Sequence, residues 1–172
     1  MPRRTRASQR PAADTPAGPE ASTAAGLIRR LAAMLYDGLV CVALALVLTG
    51  IYTAVSAKIV GPELYQQQAL ANVGKFDPLL ASILFVTLYL FFAYFWRHNG
   101  QTLGMQAWHL QIENEDGSRI SWMQALLRYL MGWVSWLALG IGYLWVLFDR
   151  DRKAWTDRFS NSRMIRISPR RK

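Results

Sequence analysis

Asp37 is the one acidic residue embedded in a long apolar stretch of this chain. Arg30 precedes it by seven positions, two helical turns, or about 10 Å at 1.5 Å per residue. A short carboxylate cannot snorkel to water as Lys or Arg can. Placing an Asp at the centre of a bilayer costs about 2.5–3.5 kcal/mol. Such a residue is expected to face protein or water and to have a partner. Arg30 lies on the same helical face and reaches towards it. Arg128, just inside the third apolar stretch, is the other candidate. Two chemistries fit this arrangement. In one, Asp37 and an arginine hold helices together as a buried ion pair. In the other, Asp37 binds a proton or a cation.

A second set of charges follows the last apolar stretch: Asp149-Arg150-Asp151-Arg152-Lys153, then Trp155-Thr156-Asp157. Alternating signs describe a solvated, self-neutralising surface. Asp157 differs, because it stands between Trp155 and Phe159 and is expected against the membrane face. The other chemical residue types are sparse. His98 and His109 are eleven apart with no nearby acid pair, so no metal site is expected. Cys41 is the single cysteine, which excludes an intramolecular disulfide and a cysteine-based zinc site. There is no Gly-rich phosphate loop and no Ser or Cys nucleophile elbow. Neither an enzyme nor a bound cofactor is expected.

The elements that must position these residues are set by the layout of hydrophobicity. The 172 residues are 52% hydrophobic and 18% charged, with a net charge of +9. The mean hydropathy of +0.10 resembles that of a soluble protein, but it averages unlike parts. Residues 38–57, 79–96 and 129–148 contain no Asp, Glu, Lys or Arg. Each run has the length of a helix crossing a bilayer core of roughly 30 Å. The spans are expected to be helical, because lipid offers no partner for backbone polar groups. The apolar segments run from about 27 to 51, 79 to 96 and 122 to 148. Residues 1–25 and 168–172 form basic tails, the first reading as disordered, and 26–167 form the membrane domain.

Local signals mark the connections. Pro62-Glu63 suits the start of a short helix, and Asp77-Pro78 marks the start of the second segment. The aromatic cluster Tyr89, Phe91, Phe92, Tyr94, Phe95 and Trp96 suits an interfacial anchor. In the polar stretch 97–121, Leu110 and Ile112 alternate with polar residues as in a strand, and Asp116-Gly117 is a turn signal. A small β-hairpin-like loop on the cytoplasmic membrane surface is expected, and Met164 to Ile167 suit a further strand. The fold class is therefore an all-α membrane protein with two long transmembrane helices plus a third apolar segment.

The charge distribution bears on topology. Basic residues flank the apolar runs, so positive-inside orientation explains them more simply than nucleic-acid binding. Both ends then belong in the cytoplasm, which requires an even number of crossings, yet there are three apolar runs. Either the third is a single span, or it is a re-entrant helical hairpin that turns at Gly132, Gly140 or Gly142 and returns.

Taken in order, Arg30 leading into Asp37, Gly100-Gln101-Thr102-Leu103-Gly104, Asp116-Gly117, Arg128 and the Asp157 block resemble the RDD family of bacterial membrane proteins. The resemblance covers about residues 26–167. It implies Arg30 as the family arginine, with Arg29 as the lesser candidate, and Asp37 as the first aspartate. Asp157 is implied as the second, with Asp149 the alternative. Thr156 stands where the family often has His, and Met105-Gln106 where it often has a basic residue, which argues against a proton relay at those points. The resemblance also implies a multi-pass protein of the bacterial inner membrane, with cation/proton exchange attributed to some members. Two functions follow as expectations. One is transport of a monovalent cation or proton by a homo-oligomer. The alternative is a non-transporting scaffold or regulatory module that binds a partner protein. The bilayer itself is the expected surrounding and nucleic acid is not an expected partner.

Overall fold

A computed structural model describes residues 23–167. The expected disordered tail lies, through residue 22, outside the described residues, as does the basic tail 168–172. Thr23–Ala24 forms a short strand, β1. Helix α1 follows, Leu27–Val60. At 34 residues it is about 51 Å long, more than a bilayer core requires. It continues past the expected end near Ile51, and its last turn carries Lys58. Helix α2, Pro62–Ala71, begins at Pro62, whose missing N–H is harmless in the first turn. Helix α3, Pro78–His98, is capped by Asp77, whose Oδ1 accepts from the N–H groups of Leu79 and Leu80 at 3.0 and 3.1 Å. The Tyr52 hydroxyl donates to the other Asp77 oxygen at 2.8 Å and ties α1 to this cap.

Both α1 and α3 are long and apolar enough to cross a membrane. Leu35, Leu39, Leu46, Val86 and Leu90 stand exposed on their sides, as lipid-facing residues do. The buried core sits instead at one end of the helix pair. It joins Ala25, Ala33 and Ala93 to Met105, Leu110, Ile112, Ile120 and Ala125.

That core is roofed by a three-stranded antiparallel sheet. After the short helix α4 (Leu103–Ala107), β2 runs from Leu110 to Glu113 and points Leu110 and Ile112 inward. Its partner is β3, Arg163–Arg166, with Ile112 opposite Met164, and β3 also pairs with β1, Ala24 opposite Ile165. The Asp116-Gly117 turn forms as expected, with Gly117 at φ +81° and the Asn114 N–H bonded to the Ser118 carbonyl. The strand does not close a local hairpin. Only Ser118 to Ile120 separate the turn from Ser121, which caps the next helix, and Ile120 turns down into the core.

Helix α5, Trp122–Leu137, opens on a reciprocal cap: Ser121 Oγ accepts from the Gln124 N–H, and Gln124 Oε1 from the Ser121 N–H. Beyond Leu137 the chain passes Leu139 and Gly140, both at positive φ. It continues in α6, Ile141–Leu144, and a single 3₁₀ turn, Trp145–Leu147. The two limbs are bent by 109°. Gly142 packs where a Cβ would overlap Ser135 Oγ. Helix α7, Trp155–Phe159, then lies back against α5, and Gln124 Nε2 reaches the Ser160 carbonyl at 3.0 Å. The third segment thus turns and returns. Because β1 and β3 share a sheet, both ends of the described chain lie on one face, as two candidate crossings, α1 and α3, require.

Candidate functional site

The charged residues on α1, α5 and α7 meet beneath the sheet. Asp157 is fully buried. The Arg30 guanidinium donates from Nη1 to Asp157 Oδ2 at 2.5 Å, and Arg128 Nη2 lies 2.6 Å from Oδ1. The Arg128 contact is an ion pair off the line of a well-formed hydrogen bond, and Oδ1 has no other donor among the described residues. The Ala154 N–H adds a bond to Oδ2 at 3.2 Å.

The arginines are themselves anchored. Arg30 Nε donates to the Ala25 carbonyl at 3.1 Å, and its Nη2 to the Arg152 carbonyl at 3.2 Å. Arg128 Nη1 donates to Ser162 Oγ at 2.6 Å, and its guanidinium lies 5.8 Å from the centre of the Trp96 ring. Both arginines are at most 4% exposed. Burial pushes the Asp157 carboxyl up, but Arg128 and Arg30 outweigh burial and hold it below the usual carboxylate range. One carboxylate therefore clamps α1, α5 and α7 together through two cations.

Asp37 is not part of this cluster. Neither Arg30 nor Arg128 pairs with it, contrary to the expectation from spacing. Arg30 engages Asp157 two turns earlier along α1, and donors from the loop after α3 take Asp37 instead. The Thr102 hydroxyl donates to Oδ2 at 2.5 Å and the Gly104 N–H to Oδ1 at 2.8 Å.

The sequence around Thr102 explains this capture. Gly100 sits at φ +70°, where a Cβ would also press on the Ile112 carbonyl. Gln101 Nε2 donates to the Leu110 carbonyl at 2.6 Å and fixes the loop to β2. Thr102 caps α4, its Oγ1 accepting from the Met105 N–H at 3.2 Å while its proton goes to Asp37. Gly104 lies so close to α1 that a Cβ would overlap the Ala33 carbonyl and approach the Asp37 carboxyl to 2.9 Å. Each residue of the motif except Leu103 thus has a distinct part in presenting two donors to one carboxylate.

The secondary candidates lie outside both arrangements. Arg29, one position round the helix from Arg30, makes no side-chain ion pair among the described residues. Asp149 accepts from the Lys153 N–H at 2.9 Å and pairs with Arg158 at 3.1 Å. Asp157 is interior rather than pressed on a membrane face, although its neighbour Phe159 is exposed. Sequence reasoning missed Ser162 and the Ala25 and Arg152 carbonyls, the groups that complete the arginine shells. A lone Ser in a polar stretch, or a backbone oxygen, carries no periodic signal. His98 stacks on Tyr94 at 5.5 Å, and no group of three or more His, Cys, Asp or Glu suited to a metal ion occurs among the described residues.

A cavity of about 470 Å³ opens between α1, α3 and α5, with Asp37, Arg30 and Arg128 in its wall and Phe92, Trp96, Tyr129, Trp133 and Trp136 around them. A second pocket, about 390 Å³, lies beside β3 and is lined by Arg152, Lys153, Arg163, Glu115 and Asp151. Arg30 borders both.

Two crossing helices, a returning third segment and a buried Arg–Asp–Arg clamp define a small integral membrane protein whose polar groups lie inside the helix bundle. The RDD family model matches residues 24–161, the whole of this arrangement up to the last strand. The chain belongs to the RDD family. Comparison with curated proteins and with solved structures gave no match.

Proposed function

We propose that the protein is a non-enzymatic membrane carrier in which Asp37 binds the transported proton or monovalent cation. One observation carries this reading: the Asp37 carboxylate is held by a hydroxyl and an amide N–H, and it has no ion-pair partner among the described residues. Those donors fix its orientation without cancelling its charge. A buried carboxylate without a counter-ion is costly, and the adjoining cavity leaves room for a positive charge to come and go. Each oxygen also keeps a free lone pair, since an ionised carboxylate accepts at about four positions. The two arginines, by contrast, are engaged by Asp157. Association of several copies through the exposed apolar sides of α1 and α3 would extend the cavity into a path across the bacterial inner membrane. The basic tails would then hold both ends in the cytoplasm.

The test is cation flux driven by a pH gradient in proteoliposomes, for wild type and for Asp37→Asn of matched oligomeric profile. Flux in the wild type that the variant loses supports the reading. Absence of flux in the wild type across several lipid compositions refutes it. A non-transporting scaffold is the second reading, favoured by the charged pocket beside β3, which gives a polar partner a place to dock. Recovery of the protein with only itself under gentle detergent would count against that one.

A further inference from the structure

The cavity beside Asp37 is a poor place for a bare alkali ion. Such an ion needs a shell of oxygens to replace its hydration water. This wall is mostly apolar side chains, and the hydroxyl bonded to the Asp37 carboxylate is that of Thr102, whose proton points at it. At about 470 Å³ the cavity falls instead within the range of small-molecule sites, roughly 300–1,000 Å³. Its wall combines a single carboxylate with six aromatic rings: Phe92, Trp96, Tyr129, Trp133, Trp136 and Tyr143. Aromatic faces attract cations, with Trp the strongest, most of all away from water.

The sign of the charge follows from the hydrogen bonds. Arg30 uses Nε and both terminal nitrogens on protein oxygens, and Arg128 uses both terminal nitrogens on Ser162 and Asp157. Both guanidiniums are already paired with the Asp157 carboxylate, so neither offers an uncompensated positive charge to an anionic head. Asp37 keeps acceptor capacity on both oxygens. Trp133 and Trp136 line the cavity and are also exposed on the helix surface. The cavity is therefore reached from the side of the bundle, where an apolar molecule dissolved in the bilayer arrives.

We propose that this cavity binds a lipophilic organic ammonium ion, its charged nitrogen on the Asp37 carboxylate and its apolar body among the aromatic rings. This rests on the carrier reading above and names the class of cation.

The experiment is calorimetric titration of the full chain in phosphatidylcholine nanodiscs, with empty discs as baseline. The probes are benzyltrimethylammonium, its uncharged carbon isostere neopentylbenzene, and benzenesulfonate. The expected result is saturable binding of the ammonium at one per chain, at least tenfold tighter than either of the others. Asp37→Asn is expected to lose at least tenfold in affinity for the ammonium. Gly38→Phe keeps the carboxylate and projects a ring from a wall position with open space around it. It is expected to abolish binding while the protein stays monodisperse. Equal binding of the three probes overturns the proposal, as does undiminished ammonium binding by a folded Asp37→Asn protein. If sodium or potassium flux depends on Asp37 but the ammonium neither binds nor competes, the carrier reading stands and this inference falls. If the ammonium binds as expected but no cation is moved, the inference stands and the carrier reading falls.

Discussion

Replacing Asp157 by Leu removes the one negative charge between Arg30 and Arg128. Both guanidiniums are at most 4% exposed, and their contacts with Asp157 are 2.5 and 2.6 Å. Removing one partner of a buried ion pair costs about 3–5 kcal/mol, because an uncompensated buried charge remains. Here two like charges remain, so the upper part of that range applies. A comparison variant changes all three residues, Arg30→Met, Asp157→Leu and Arg128→Met. It leaves no stranded charge, and apolar replacement of a whole buried ion cluster is often neutral. It takes an arginine donor from three groups, but Ser162 Oγ keeps Ser160 Oγ at 2.7 Å and Arg152 is open to water, so the buried Ala25 carbonyl alone is stranded, a penalty of about 1–3 kcal/mol. The triple variant is therefore expected to be more stable than Asp157→Leu alone, despite carrying two more changes. The assay is reversible unfolding in mixed micelles with rising denaturing detergent, followed by tryptophan fluorescence. A loss below about 1 kcal/mol for Asp157→Leu would refute the clamp, and so would a triple variant less stable than the single one. The pH dependence has a definite sign. The folded-state carboxyl is held below its ordinary value of 3.8. Its stabilisation is present in full above that value and is lost as pH falls through the lower folded one. Stability attributable to Asp157 is thus expected to be flat from pH 8 to 5 and to fall below about pH 4, a fall missing in the triple variant.

Four further outcomes are expected. Thr102→Val removes a donor to a buried carboxylate and the cap of α4, and should destabilise the protein by about 1.5–3 kcal/mol in the same unfolding assay. Gly104→Ala forces a Cβ into the Ala33 carbonyl and should cost about 1–3 kcal/mol, together with altered flux through Asp37 where Leu103→Ala leaves flux intact. Gly140→Ala places a side chain at φ +83° and should cost about 1–2 kcal/mol. Compartment-sensitive reporters fused at the two ends should report the same side of the membrane; opposite sides would contradict the pairing of β1 with β3.

The parts of this fold legible in sequence are those governed by near neighbours. Charge-free runs mark α1, α3 and the third segment, because exclusion of charge from lipid acts on every residue of a span. Pro62, Asp77-Pro78 and Asp116-Gly117 mark their boundaries, because their effects reach only a few residues. Alternation at Leu110 and Ile112 marks a strand but not its partner: β2 pairs with β3, some fifty residues away. The same limit applies at the site. Arg30, Arg128, Asp37 and Asp157 stand out by residue type, yet spacing along α1 suggested that Asp37 pairs with an arginine. Which carboxylate meets which cation depends on how α4 and α7 dock against α1, and no periodicity encodes that. The motif Gly100 to Gly104 is visible as a pattern. Its role as a two-donor clamp on Asp37 emerges only once α4 lies against Ala33.

The pairing of β1 with β3 has a consequence for biosynthesis. Synthesis runs from the first strand to the last, so Arg30 emerges 127 residues before Asp157. Until α7 leaves the ribosome, both arginines lack the carboxylate that neutralises them, and β1 has no ladder to join. The anion that closes the bundle is also among the last parts made. A chain interrupted before residue 157 keeps its apolar spans and inserts, but it carries two uncompensated cations at the helix junction and an unpaired strand edge. Quality-control proteases that recognise intramembrane charge or open edges would thereby distinguish finished molecules from truncated ones.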